Sequence, residues 1–124
     1  TACDWKYILE ETEDLSLIEF TIQKIHDGGT EYLDASDAEE AIAAADTLAR
    51  LKGHFYVQNA YTESLDEWVS NHKIVPPQQL IDSALKALER IQSDPSELLE
   101  LWKESEDFDA WNQHIEDLKI RLKK

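Results

Sequence analysis

Glycine and proline are nearly absent from this chain, with three of each in 124 residues. Gly28, Gly29 and Gly53, and Pro76, Pro77 and Pro95, fall almost entirely where a three-and-four hydrophobic period starts or stops. Residues of this kind punctuate helices, and no stretch alternates apolar with polar over a strand's length. The chain is therefore predicted to be an all-α, compact single-domain bundle of about six or seven helices over residues 1–124. Apolar residues make up 42 %. A domain of this length buries about two-thirds of its unfolded surface, so the core is adequate and disorder through lack of hydrophobics is excluded.

The helices can be placed from their faces and their caps. A first segment over about Ala2 to Glu11 puts Ala2, Trp5, Ile8 and Leu9 together. A second follows Asp14 and carries Leu15, Ile18, Ile22 and Ile25, ending at Gly28-Gly29, where a left-handed residue is needed. Tyr32 and Leu33 are expected to plug the core from the following loop. Ser36-Asp37-Ala38-Glu39 reads as a capping box opening a third helix to about Leu51. Its six alanines (38, 41, 43, 44, 45 and 49) would let neighbours approach closely, which predicts a central position. Phe55, Tyr56, Val57 and Tyr61 lie in an irregular stretch. A short helix at Leu65 to Ser70 buries Leu65, Trp68 and Val69, and a fifth, Gln78 to Gln92, has a continuous stripe from Leu80 to Ile91. Asp94-Pro95-Ser96-Glu97 predicts a helix start near Pro95, with Leu98, Leu99 and Trp102 buried. The last helix carries Phe108, Trp111, Ile115, Leu118 and Leu122, with acids at its start and Lys119, Arg121, Lys123 and Lys124 at its end, as the helix dipole favours.

Charge is the global feature that stands out. Asp and Glu number 27 against 12 Lys and Arg, a net of −15, and the estimated pI is near 4.4. Residues 1–70 hold 16 acids and four bases, a net of −12, while residues 71–124 hold 11 acids and eight bases, a net of −3. Direct nucleic-acid binding of the usual kind is excluded, because phosphate neutralisation needs clustered cations. The longest wholly apolar run, Ala41 to Ala45, is far short of the roughly 20 residues of a membrane span. Cys3 is the single cysteine, so no disulfide forms within the chain. Nothing resembles a signal peptide, and a cytoplasmic location is expected. With no methionine and Thr1 at its head, a native segment upstream is expected too.

Catalytic and metal-binding spacings are missing. Of His26, His54, His72 and His114, only His114 has a carboxylate three or four residues away, Asp117, which is thin support for a zinc or di-iron site. There is no Gly-x-Ser-x-Gly elbow, no glycine-rich phosphate loop, and no EF-hand glycine within Asp34 to Glu40. No metal, cofactor or catalytic residue is assigned. Many acids have ordinary reasons to be where they are, since Asp14, Asp37, Glu39, Glu97, Glu106 and Asp107 fall at predicted helix starts. The four tryptophans, Trp5, Trp68, Trp102 and Trp111, fall on apolar stripes and read as core.

Several of these features together resemble a bacterial family of small acidic proteins with no assigned activity, domain of unknown function 4259. Ala2, Asp4 and Trp5 look like the end of its Ala-x-Asp-Trp opening. The likeness continues through Glu31-Tyr32-Leu33, the Ala-rich helix after Asp37, and Leu65 to Trp68. It is most specific at Ser96-Glu97-Leu98-Leu99-Glu100-Leu101-Trp102 and at Trp111 with Asp117-Leu118 and Arg121-Leu122. It departs at His54 to Tyr61, where members are shorter and richer in Gly and Pro. The resemblance implies a bacterial, intracellular, single-domain protein, and it implies no catalytic residues.

Two functional readings follow. One is a non-catalytic acidic module engaging a basic partner protein, as an immunity or inhibitor protein does, or a mimic of nucleic-acid charge. The alternative is a small enzyme or ligand-binding domain with a carboxylate-lined pocket. Candidate binding residues are the acids that capping does not explain, Glu10, Glu11, Glu13, Glu19 and Glu31, and the loop aromatics Phe55, Tyr56 and Tyr61. Glu10 and Glu11 at a helix C-terminus oppose the dipole, a local cost that points to use.

Overall fold

A computed structural model describes residues 2–54 and 62–124. Over them run seven α-helices: α1 (Ala2–Glu10), α2 (Ser16–Asp27), α3 (Ala35–Leu51), α4 (Glu63–Asn71), α5 (Gln78–Ile91), α6 (Glu97–Lys103) and α7 (Phe108–Lys123). Among the described residues there is no strand, only an isolated parallel bridge between Leu33 and Ser96. The all-α expectation holds.

Helix α3 is the central post and packs against each of the other six helices. Its alanines explain how. Ala38, Ala41, Ala44, Ala45 and Ala49 are buried with Leu48, and side chains this small let surrounding helices come close to the α3 backbone from several directions. Around it the bulk of the core comes from Trp5 and Leu9 of α1, Ile18, Ile22 and Ile25 of α2, Ile81, Leu88 and Ile91 of α5, and Ile115, Leu118 and Leu122 of α7. Trp5 reaches from α1 to α2, its indole Nε1 donating to Thr21 Oγ1 at 2.8 Å. At the end of α2 it is Gly29, with φ +56°, that takes the left-handed conformation.

Both capping predictions shift by two residues. Helix α3 is capped not by Ser36 but by Asp34, whose Oδ1 accepts from Ser36 N at 2.6 Å. The N–H of Ala35 is taken by Glu97 Oε1 from α6 at 2.8 Å. A helix start needs acceptors, and tertiary packing supplied one from a distant helix. Helix α6 begins at Glu97, with Ser96 as its cap to Leu99 N. Pro95 stays outside it because its carbonyl accepts from Leu33 N, while Leu33 O accepts from Glu97 N, forming the bridge.

Three burial expectations also change. Tyr32 is 57 % exposed while Leu33 is buried, since neighbouring side chains in extended chain point opposite ways. Ile8 is exposed, because the buried face of α1 follows the i, i+4 pair Trp5 and Leu9. Trp102 is only partly buried, whereas Trp5, Trp68 and Trp111 are core. The irregular stretch carrying Phe55, Tyr56 and Tyr61 lies outside the described residues.

Helix α7 completes the core through Trp111, Ile115, Leu118 and Leu122. Trp111→Ala should destabilise the fold by about 3–5 kcal/mol, read as a fall in the urea midpoint. An unchanged midpoint would make α7 peripheral.

Candidate functional site

The five candidate acids do not share one surface. Glu10 is the last residue of α1 and lines a notch of about 120 Å³ with Glu67, Trp68, Asn71 and His72. Glu13, in the turn before α2, places Oε2 3.7 Å from His72 Nε2. Glu11 is exposed in the same turn. Glu19 lines a different groove between α2 and α5, of about 690 Å³, beside Phe20, Gln23 and Leu80. Glu31 lies in the α2–α3 loop, where its carbonyl accepts from Arg90 Nη2 at 2.8 Å. The fold thus gathers Glu10 and Glu13, adds Glu67, and leaves Glu19 and Glu31 on other parts of the molecule.

The notch has a defined frame. His72 stacks on Trp68 with ring centroids 4.5 Å apart and planes at 15°. Its Nδ1 lies 2.9 Å from the Trp68 carbonyl, which can only accept, so Nδ1 carries the proton and Nε2 faces Glu13. Trp68 Nε1 in turn donates to Thr12 O at 3.1 Å. These contacts hold the end of α4 against the α1–α2 turn and set the carboxylates around it.

A second concavity opens along α3. It has a volume of about 390 Å³, with Ile42 and Ala43 as its floor and Leu65, Leu98, Trp102 and Trp111 as its walls. Trp102 and Trp111 stack with centroids 6.0 Å apart and planes at 11°. Glu39, Asp46, Thr62, Lys6 and His114 supply its polar groups.

Asp46 belongs to a buried ion cluster that the sequence reading did not pick out. Its Oδ2 accepts from Arg50 Nε at 3.1 Å and its Oδ1 from Arg121 Nη2 at 2.6 Å. Arg50 Nη1 continues to Asp66 Oδ1 on α4 at 2.6 Å, and Arg121 Nε donates to His54 O at 2.8 Å. Arg50 is 2 % exposed. Among the described residues every buried side-chain nitrogen and oxygen has a hydrogen-bond partner, the condition under which buried charge is tolerated. The signal was present: Asp46 and Arg50 stand four apart in an alanine-rich helix, and Arg121 sits directly before the core residue Leu122.

Three ionisable groups outside these concavities are perturbed by their neighbours, the first being Asp14, whose carboxyl is held below its ordinary value by hydrogen bonds from the Ser16 hydroxyl and N–H. The Tyr32 hydroxyl donates to Glu100 Oε2 at 2.6 Å, and that bond, helped by desolvation and by nearby acid charge, pushes the phenol up to about 12. The Glu116 carboxyl is held below its ordinary value by hydrogen bonds from Lys119 and Gln92. Among the described residues no three His, Cys, Asp or Glu side chains converge as metal ligands, and no helix is long and apolar enough to cross a membrane.

The sequence profile described as "Domain of unknown function (DUF4259)" matches residues 1–114. The chain belongs to the DUF4259 family. No curated protein and no solved structure matches it. The matched range takes in Ser96–Trp102 and Trp111, while Asp117-Leu118 and Arg121-Leu122 lie beyond it. In this DUF4259 protein the Ser96–Trp102 segment is explained largely by architecture. Ser96 caps α6, Glu97 caps α3, Leu98 and Leu99 are core, Glu100 receives Tyr32, and Trp102 stacks on Trp111.

Removing Asp46 leaves two guanidiniums short of a counter-charge in a largely buried site. Asp46→Ala should therefore cost about 3 kcal/mol or more, measured by denaturant unfolding; a change comparable to a surface substitution would show the cluster to be dispensable. The raised Tyr32 phenol gives a pH dependence with a definite sign. Its contribution is whole below the ordinary value of 10.0 and is lost as pH rises toward about 12. The stability difference between wild type and Tyr32→Phe should shrink over that window, and near-ultraviolet titration of the variant should lose a phenol that ionises near 12.

Proposed function

We propose that this protein is a non-catalytic binding module that uses its acidic surface to engage a basic partner protein, in the manner of an inhibitor or immunity protein, inside the bacterial cytoplasm. The observation that carries this reading is the convergence of Glu10, Glu13 and Glu67 about the His72–Trp68 stack, on the half of the chain that carries a net −12. Exposed acids so placed attract a basic surface at long range and speed encounter. The resemblance to a bacterial intracellular family and the single cysteine support the location.

The alternative reading, an enzyme or ligand-binding domain with a carboxylate-lined pocket, draws on the groove along α3, whose size is that of a small-molecule site. Its two carboxylates are not an acid–base pair, however, because both oxygens of Asp46 are occupied by arginine donors. That weighs toward binding.

Capture from the native host at low salt should retain a basic protein that elutes as ionic strength shortens the screening length from about 30 Å at 0.01 M to about 8 Å at 0.15 M. Reversing Glu10, Glu11 and Glu13 to Lys should slow its association while leaving the helical circular dichroism spectrum unchanged. A partner indifferent both to salt and to these reversals would mean that the acidity serves solubility alone.

A further inference from the structure

The groove along α3 is a candidate for the short-range half of such recognition. Glu39, Ile42, Ala43 and Asp46 recur at helical spacing on one face of α3, a run of about 10 Å along the axis. Beside them Leu98 and Trp102, four residues apart on α6, form one wall with Trp111, and Leu65 of α4 forms part of the other. Ile42 and Ala43 of α3 thus face Leu98 and Trp102, which stand one turn apart on α6, and the groove between them lies open with Trp102 partly exposed in it. An apolar groove between helices is the kind of seat into which an amphipathic helix lays its apolar face.

The charges of the groove select the occupant. Asp46 is committed to Arg50 and Arg121, and Lys6 and His114 are each already engaged within the chain. Glu39 is exposed, and among the described residues no cation pairs with it. The groove therefore offers apolar walls, an indole and one exposed carboxylate, beside the internally engaged Lys6 and His114, within a molecule of net charge −15. An arginine or lysine suits all of these at once, since its stem covers apolar surface while its head meets the carboxylate, and its charge is attracted to the indole face.

We propose that the α3 groove seats a basic amphipathic helix of the partner, with an apolar side chain laid against Trp102 and Trp111 and a lysine or arginine paired with Glu39. This rests on the reading that the partner is basic, and deepens it by naming the segment and its seat.

The test uses the whole protein and three synthetic probes: a short amphipathic Leu/Lys helical peptide, its Leu/Glu counterpart, and a Lys peptide without Leu. The Leu/Lys peptide should bind most tightly. Trp102→Ala and Glu39→Lys should each weaken it by about tenfold or more, while Glu19→Lys, on the α2–α5 groove, should weaken it far less. Nuclear magnetic resonance gives a readout that does not depend on a variant folding. The Trp102 indole N–H should shift on adding the Leu/Lys peptide, whereas those of Trp5 and Trp68, bonded to Thr21 Oγ1 and Thr12 O, should not. If the Leu/Lys peptide binds but Glu39→Lys acts no more strongly than Glu19→Lys, or the Trp102 signal stays still, the groove is not the seat and basic-partner recognition survives without it. If the Leu/Glu peptide binds as well as the Leu/Lys peptide, the basic-partner reading falls, and this inference with it.

Discussion

Helix α3 is held at both ends by polar groups from other helices, and the arrangement of the bundle follows from that. At its N-terminus Glu97 of α6 accepts from Ala35 N, beside the local cap of Asp34. Toward its C-terminus Asp46 and Arg50 are tied to Arg121 of α7 and Asp66 of α4, and Lys52 donates to Leu122 O at 2.6 Å. Between these anchors run alanines, which allow close approach but say little about which neighbour approaches or in what register. Buried ion pairs add little net stability once desolvation is counted, yet they are costly to misalign. Their part here is to fix how α4 and α7 dock on a post that apolar packing alone would hold less specifically, as the Glu97 bond does for α6.

The α2–α3 and α5–α6 loops form a second junction of the same kind. Leu33 and Ser96 make a bridge, Leu33 fills the core beneath it, and Arg90 donates to the carbonyls of Gly29, Glu31, Ser93 and Pro95. A single guanidinium so placed satisfies the backbone of two loops that lack helical partners. With Tyr32 bonded to Glu100 on the outside, the junction fixes α6, and α6 in turn carries Leu98 and Trp102 to the groove. The architecture and the candidate site are therefore linked through α6, and the Ser96–Trp102 segment serves both.

The acids divide by role in a way that bears on recognition. Asp46 and Asp66 are structural, locked to arginines. Asp34 and Glu97 cap α3, and Asp14 accepts from both the N–H and the hydroxyl of Ser16. Glu10 and Glu67 line the α1–α4 notch, Glu13 approaches its His72, and Glu39 lines the α3 groove. Acids with structural partners are spent on the fold, whereas those turned outward shape the field that a partner meets.

The all-helical class, the central place of the alanine-rich helix and the core stripe of α7 were legible in the sequence, because each rests on periodicity and on residues that start or stop helices locally. The positions of the helix starts were less so. Asp34 and Ser36 are both sound caps on local grounds, and the choice between them went with an acceptor, Glu97, sixty-two residues away from Ala35. The candidate acids were half legible: dipole and capping logic picked out Glu10 and Glu13, but nothing local could join them to Glu67 or His72 on α4. The ion cluster and the groove along α3 came from tertiary structure alone, since they exist only where α3, α4, α6 and α7 meet. Sequence alone determined which faces must be buried, because hydrophobic burial reads local periodicity; packing decided which charges meet, because pairing depends on distances that only the assembled helices set.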